Sequence, residues 1–435
     1  MSAPKQIGLW TTISLVVGNM IASGLFMLPA TLGKYGGISL LGWVISGAGA
    51  ICMALVYSWL SKQQPTAVGG PYAYTREGMG HFAAFLVAWG YWISVWCTNA
   101  AISVAFVSYL TAFVPALGTN PWLAIATGLG AIWFLTWINT KGVREAGHVQ
   151  LITTILKITP LLLITIGGLF YLNLDHFVPF NASSESTWSA LSSTTTLTLF
   201  AFLGLEAATI PSGNIKDPDK TIPKATIIGT VFVTLLYMLG TIAVMGIIPP
   251  ATLTQSQAPF ADAAASIWGE GARYLVAAGA VVSTFGALNG WILVQGQMPM
   301  AASRDHLFPK IFSKENKNGT PALGIVIGSV LVSILTCMNF NSSLADTYKF
   351  AILLSTLTCL VAYLFSIVSF VLAEGREVKM NWSRMVVALM AFAYSMWAVI
   401  GSGMEVVYWG FIMLMAGLPF YTLIVWQRNR KSMME

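Results

Sequence analysis

Charge is scarce in this 435-residue chain: only 9% of residues are Asp, Glu, Lys or Arg, 56% are hydrophobic, and the mean hydropathy is +0.73. A soluble domain carries about 25% charged residues. A water-facing fold of this composition would have too few polar side chains to coat it, which excludes an ordinary soluble enzyme. Cysteine is rare as well. Cys52, Cys97, Cys337 and Cys359 sit in apolar runs without paired spacing, so they read as packing residues and not as disulfides or metal ligands. The four histidines form no ligand-spaced cluster with Cys or carboxylates, so neither a metal nor a cofactor is expected. No polar stretch is long enough to fold alone, and 1–435 reads as one transmembrane domain.

What is present is hydrophobic length. A helix needs about 20 apolar residues to cross hydrocarbon. Twelve stretches qualify: Ile7–Leu32, Ile38–Leu60, Phe82–Phe113, Trp122–Ile138, Val149–Leu172, Ser193–Ser212, Ile222–Ile248, Tyr274–Met300, Leu323–Met338, Tyr348–Leu372, Met385–Gly401 and Val406–Trp426. The third is long enough to tilt or to project beyond the bilayer. Met1 to Gln6 is short and polar and has no small-residue cleavage site, so the first stretch reads as a retained span.

Basic residues orient these spans. With the amino terminus in the cytoplasm, inner loops hold Lys5, Lys62, Arg76, Lys141, Arg144, Lys216, Lys220 and Lys224. They also hold Arg304, Lys310, Lys314, Lys317, Arg376, Lys379, Arg384, Arg428, Arg430 and Lys431, whereas outer loops keep only Lys34, Arg273 and Lys349. This asymmetry predicts both termini in the cytoplasm. The net charge of +6 follows from topology and is no sign of nucleic-acid binding, because the cations are split among loops.

Two ionisable residues remain well inside the spans, Lys157 in the fifth and Glu206 in the sixth. A charge at the bilayer centre costs about 2.5–3.5 kcal/mol on insertion scales, so each is expected to face the bundle interior or a water-filled cavity. Ion or proton coupling is the functional reading; an interior pair bracing helices is the structural one.

Two spans look interrupted. The first carries Gly18-Asn19-Met20-Ile21-Ala22-Ser23-Gly24, and glycine weakens a helix by about 1 kcal/mol relative to Ala. Lipid forbids unwound backbone unless it lines a cavity. Free N–H groups at a half-helix start suit a carboxylate, and free carbonyls suit an ammonium, the two ends of an amino acid. The sixth span carries Phe200-Ala201-Phe202-Leu203-Gly204-Leu205-Glu206. Interruptions at equivalent places in two five-span halves point to a midplane substrate site. The competing reading is close helix packing through small residues. Aromatic residues add Tyr91-Trp92 and Trp96 in the third span and Gly290-Trp291 in the eighth. Judged from the residues alone, Trp291 suits core packing and stacking on a cation equally well.

In order along the chain, these motifs resemble the amino acid–polyamine–organocation (APC) transporters. Within that family they are most like the bacterial basic amino acid/polyamine antiporters typified by the arginine/agmatine antiporter. The markers are Gly18-Asn19 through Ser23-Gly24-Leu25-Phe26-Met27-Leu28-Pro29, Gly69-Gly70-Pro71-Tyr72-Ala73-Tyr74 and Gly204-Leu205-Glu206. Lys216-Asp217-Pro218 with Ile222-Pro223, Gly290-Trp291 and Asp305-His306-Leu307-Phe308-Pro309 complete them.

The resemblance implies an all-α membrane protein with a five-plus-five inverted repeat (the LeuT-like fold). Residues 1–172 and 193–372 would form the repeats, with helices 1 and 6 broken and two extra helices over 385–426. It implies alternating access in the bacterial inner membrane, an amino acid or polyamine as small-molecule substrate, and homodimers in some members. Carried over by position, the break at Met20 and Ile21 with Ser23 and Gly24 would grip the substrate. Ser23 and Gly24 would take its carboxylate, and the carbonyls of Met20, Phe200 and Leu203 its amino group. Trp291 would stack on the side chain, with Asn99, Ser355 and the carbonyls of Ser94 and Val95 near its distal end. Tyr72, Tyr91, Phe200 and Trp291 match gating aromatics, and Glu206 a coupling carboxylate. Two departures stand out. Phe200 replaces a Trp of the arginine/agmatine antiporter, and Lys157 replaces a small apolar residue. A Lys there resembles branches that include proton-coupled symporters, in which the ammonium stands in for a sodium ion.

The leading reading is an exchanger of amino acids, cationic ones and their amine products among them. The alternative is a proton-coupled symporter that uses Lys157. A channel lacks a charged ring or filter motif here. An enzyme lacks a nucleophile–base pair or a phosphate-cradling loop.

Overall fold

In the structure, a computed structural model, residues 8–65, 69–141, 158–159, 161–210, 212, 215–338, 343–375 and 381–432 are described. Among them, ten helices are long and apolar enough to cross a membrane. They are Leu9–Gly33, Ile38–Gln63, Pro71–Leu110, Pro121–Lys141, Thr187–Thr209, Pro218–Ile247, Glu270–Arg304, Leu344–Glu374, Trp382–Gly401 and Met404–Arg428. Two shorter apolar helices, Leu161–Tyr171 and Ala322–Met338, stand where the fifth and ninth spans are expected. Lys157 lies outside the described residues.

Hydropathy misplaces several ends. The third span begins at Pro71, not at Phe82, and is divided at Gly80 (φ 83°, ψ −174°) into pieces 71–79 and 81–110. Gly70, with φ 61°, makes the entry turn, and Pro71 occupies the first helical position, where a missing N–H costs nothing. The sixth span starts at Thr187, a turn and a half before the apolar run. There the Ser186 hydroxyl caps the helix by accepting from the Ser189 N–H at 3.2 Å. Thr196 and Thr198 fold their hydroxyls back onto the carbonyls of Ser192 (3.0 Å) and Thr194 (2.8 Å), which conceals their polarity. The twelfth span is parted between Met404–Met415 and Leu418–Ser432. Two helices that hydropathy does not mark, Pro250–Leu253 and Pro259–Trp268, connect the seventh span to the eighth.

Burial separates posts from perimeter. Of the most apolar stretch of each helix, 89% is buried in the third span but only 11% in the twelfth, so the third is a central post and the twelfth lies on the perimeter. The first, second, sixth and seventh spans pack on one another as one group; the third, fourth, eighth and ninth form a second, with the tenth laid along the third.

Candidate functional site

The first helix stops at Met20 and a new one starts at Gly24. Ile21 still donates to the Val17 carbonyl (2.9 Å) and Ala22 turns back onto Met20 (2.8 Å). Beyond that turn, the N–H groups of Ser23, Gly24, Leu25 and Phe26 meet no protein acceptor among the described residues. All four residues are buried. They form the positive end of a ten-residue half-helix, an anion-binding arrangement closed off from water.

The sixth helix ends at Leu199, tightens through a 3-10 turn over Phe200–Phe202, and becomes extended at Leu203. It reverses at Gly204 (φ 101°) before another 3-10 turn over Ala207–Thr209. A side chain is strained at that φ. A Cβ on Gly204 would also stand 3.2 Å from the Cβ of Asn19. Reciprocally, a Cβ on Gly24 would stand 2.9 Å from the Cβ of Ala201. The two interruptions therefore lie directly against each other, each glycine a notch for the opposite backbone.

Glu206 is fully buried beside them. Its carboxylate accepts from the Tyr91 hydroxyl (2.8 Å), the Tyr363 hydroxyl (2.7 Å) and the Gly204 N–H (3.2 Å). Those donors come from the third, tenth and sixth spans, so one side chain ties the interruption to both posts. Among the described residues, no cation pairs with it. Hydrogen bonds from hydroxyls and backbone are the usual compensation for a buried charge without a counter-ion.

Around the notch, Phe200 stands edge-on to Tyr348 (centroids 6.2 Å apart, 87°), whose hydroxyl reaches Ser23 Oγ at 3.4 Å. Met20 O accepts from Tyr237 as well as from Ala22, which occupies both of its lone pairs. Phe200 O accepts from the Leu203 N–H at 3.1 Å, while Leu203 O meets no donor among the described residues. Trp291 is buried, and its indole N–H has no partner among the described residues. Ser355 Oγ lies 3.0 Å from Ser94 Oγ and 2.7 Å from Thr98 Oγ1, and it donates to Ser94 O at 3.0 Å. It serves as a clasp between the third and tenth spans. Val95 is buried in the same turn.

The buried N–H groups and carbonyls of the two interruptions thus meet inside a bundle of apolar helices. The description of amino acid permeases matches residues 7–426. The chain belongs to the amino acid permease family.

The cadaverine/lysine antiporter of Escherichia coli K12 is 30% identical to this permease over 439 residues, covering 100% of the permease and 98% of the relative. The arginine/ornithine antiporter of Pseudomonas aeruginosa is 30% identical, with 92% and 87% covered. The arginine/agmatine antiporter of Chlamydia pneumoniae is 28% identical, with 96% and 90% covered. The permease is therefore a multi-pass membrane transporter of amino acids and not an enzyme.

Of the residues singled out from the sequence, Tyr72 lies apart from this centre. It follows the Gly69-Gly70 turn, whose Gly69 N–H donates to Ile210 O at 3.2 Å, and its ring packs over Gly69. Arg76, one turn on, pairs with Asp305 at 2.8 Å. Tyr72 thus packs at the entry turn of the third span, whereas Tyr91 and Phe200 stand beside the two interruptions, and Trp291 is buried on the eighth span. Four residues escape a sequence reading: Tyr237, Tyr348 and Tyr363 of the centre, and Gln295, which accepts from Asn99 Nδ2 at 2.7 Å. Tyr237 and Tyr363 are lone polar groups in apolar runs, Tyr348 sits among the polar residues that open the tenth span, and only Gln295 had a cue, its place four residues after Trp291.

Proposed function

We propose that this permease exchanges amino acids across the bacterial inner membrane by alternating access, taking substrates with cationic side chains and releasing their amine products. One observation carries the reading: the buried N–H groups of Ser23 to Phe26, without a partner among the described residues, lie against an opened segment of the sixth span. They receive the substrate carboxylate. Leu203 O and the second lone pair of Phe200 O receive its amino group, and Met20 O, already shared by Ala22 and Tyr237, stays structural. Trp291 stacks on the side chain, and Asn99 meets its end.

Phe200, Tyr348 and Ser23 form the inner cover, with Tyr91 and Glu206 linking it to the third span. The inverted repeat has support in packing as well. The pairs it relates, first with sixth, second with seventh, third with eighth and fourth with ninth, are in contact. Antiport is favoured by the relatives, each named an antiporter of a basic amino acid.

Proteoliposomes loaded with lysine, arginine or cadaverine should take up labelled lysine or arginine much faster than empty ones. Equal uptake into empty vesicles, driven by a pH gradient and lost in Lys157→Ala, would replace exchange by proton symport.

A further inference from the structure

Resting on the exchange reading, a chain of amides behind the site says what the far end of the substrate must be. Gln295 is fully buried on the eighth span, one turn after Trp291, so indole and amide share a helix face. Its Nε2 donates to Ile325 O at 2.9 Å and to Ser329 Oγ at 2.8 Å. A backbone carbonyl can only accept, so the amide cannot be turned over without setting oxygen against oxygen. Gln295 Oε1 is thereby aimed at Asn99, whose Nδ2 donates to it at 2.7 Å. The same argument then applies to Asn99. Its nitrogen is fixed toward Gln295, and its Oδ1 points the other way, buried and without a partner among the described residues.

We infer that Gln295 is a positioning residue that locks Asn99 as a pure hydrogen-bond acceptor, and so selects a substrate whose side chain ends in a donor, a protonated amine or guanidinium. Polarity set at Ile325 O is relayed through two amides to the site. An unconstrained Asn offers either its oxygen or its nitrogen; here only the oxygen is on offer. A buried acceptor left unpaired is costly, which penalises a substrate ending in methyl or carbonyl.

The test compares lysine and arginine with norleucine, which lacks the terminal amine, by calorimetric binding to the purified protein and by competition in the exchange assay. The unaltered protein should bind lysine or arginine at least about tenfold more tightly than norleucine, the value of a hydrogen bond to a charged group. Gln295→Met, which frees the Asn99 amide, should erase most of that ratio while norleucine affinity stays the same. Gln295→Asn, one methylene shorter, keeps the polarity and cannot span both partners, so it should act in the same direction with less risk to folding. Asn99→Asp in the Gln295→Met background presents an oxygen in either orientation, so this pair should regain the preference. Norleucine bound as well as lysine and arginine by the unaltered protein would overturn the inference, as would variants that weaken all three ligands equally. Neither result bears on exchange itself, which fails only if internal substrate does not accelerate uptake; equal binding of norleucine would also withdraw the cationic preference.

Discussion

Glu206 shows how a single side chain holds an unwound segment in place. Two tyrosine hydroxyls and a backbone N–H converge on its carboxylate, so truncation strands three donors at once. Each stranded group costs about 1–3 kcal/mol, partly offset because the buried charge disappears as well. Glu206→Leu should therefore lower the unfolding temperature in detergent more than Glu206→Gln, which keeps one carbonyl acceptor and the side-chain length. Equal melting of the two variants would mean that the donors find other partners. At this scale the sequence was legible in part. An acid within an apolar run marks itself by its insertion cost, and Gly204 is marked only by standing two residues before that acid, since glycine is common in the other spans. Partners from distant spans leave no local trace: nothing near Met20 announces that Tyr237 caps its carbonyl, or that Ser355 is spent on Ser94.

Helices were legible where their apolar runs were long, because lipid leaves a spanning backbone few alternatives to internal hydrogen bonding. Their ends were not. Hydropathy starts the third span at Phe82 because Tyr74-Thr75-Arg76-Glu77 is polar, yet that segment is helical, and the change of direction falls at Gly80. A Cβ there would meet nothing within 4 Å, so the requirement for glycine is purely conformational. Gly80→Ala should cost about 1–3 kcal/mol, the usual penalty for a backbone conformation open only to glycine. Thermal unfolding measures the loss, and an unchanged melting temperature would show that the junction can straighten without strain.

For the molecule as a whole, alternating access predicts that two helix groups turn against each other and that closure at one face excludes closure at the other. The Arg76–Asp305 pair ties the 71–79 helix to the end of the eighth span, with both side chains about one-third exposed. An ion pair so placed contributes at most about 1 kcal/mol, and since the third and eighth spans pack in one group it braces that group and not the boundary between the two. Cysteines at positions 76 and 305, joined by a reducible bifunctional reagent after the exposed Cys337 is replaced, should leave exchange running, because the bridge lies within one helix group. Exchange that stops in the bridged protein and returns with reductant would show that the third and eighth spans part during the cycle and that the grouping is wrong.

The notched contact between the two interrupted helices has a genetic consequence. Gly24 rests on Ala201, and Gly204 rests on Asn19. A methyl group added on one side has room only if one is surrendered opposite. Gly24→Ala should abolish growth that depends on this transporter, and Ala201→Gly should arise as its second-site suppressor. Natural drift at either position is then expected to occur in pairs.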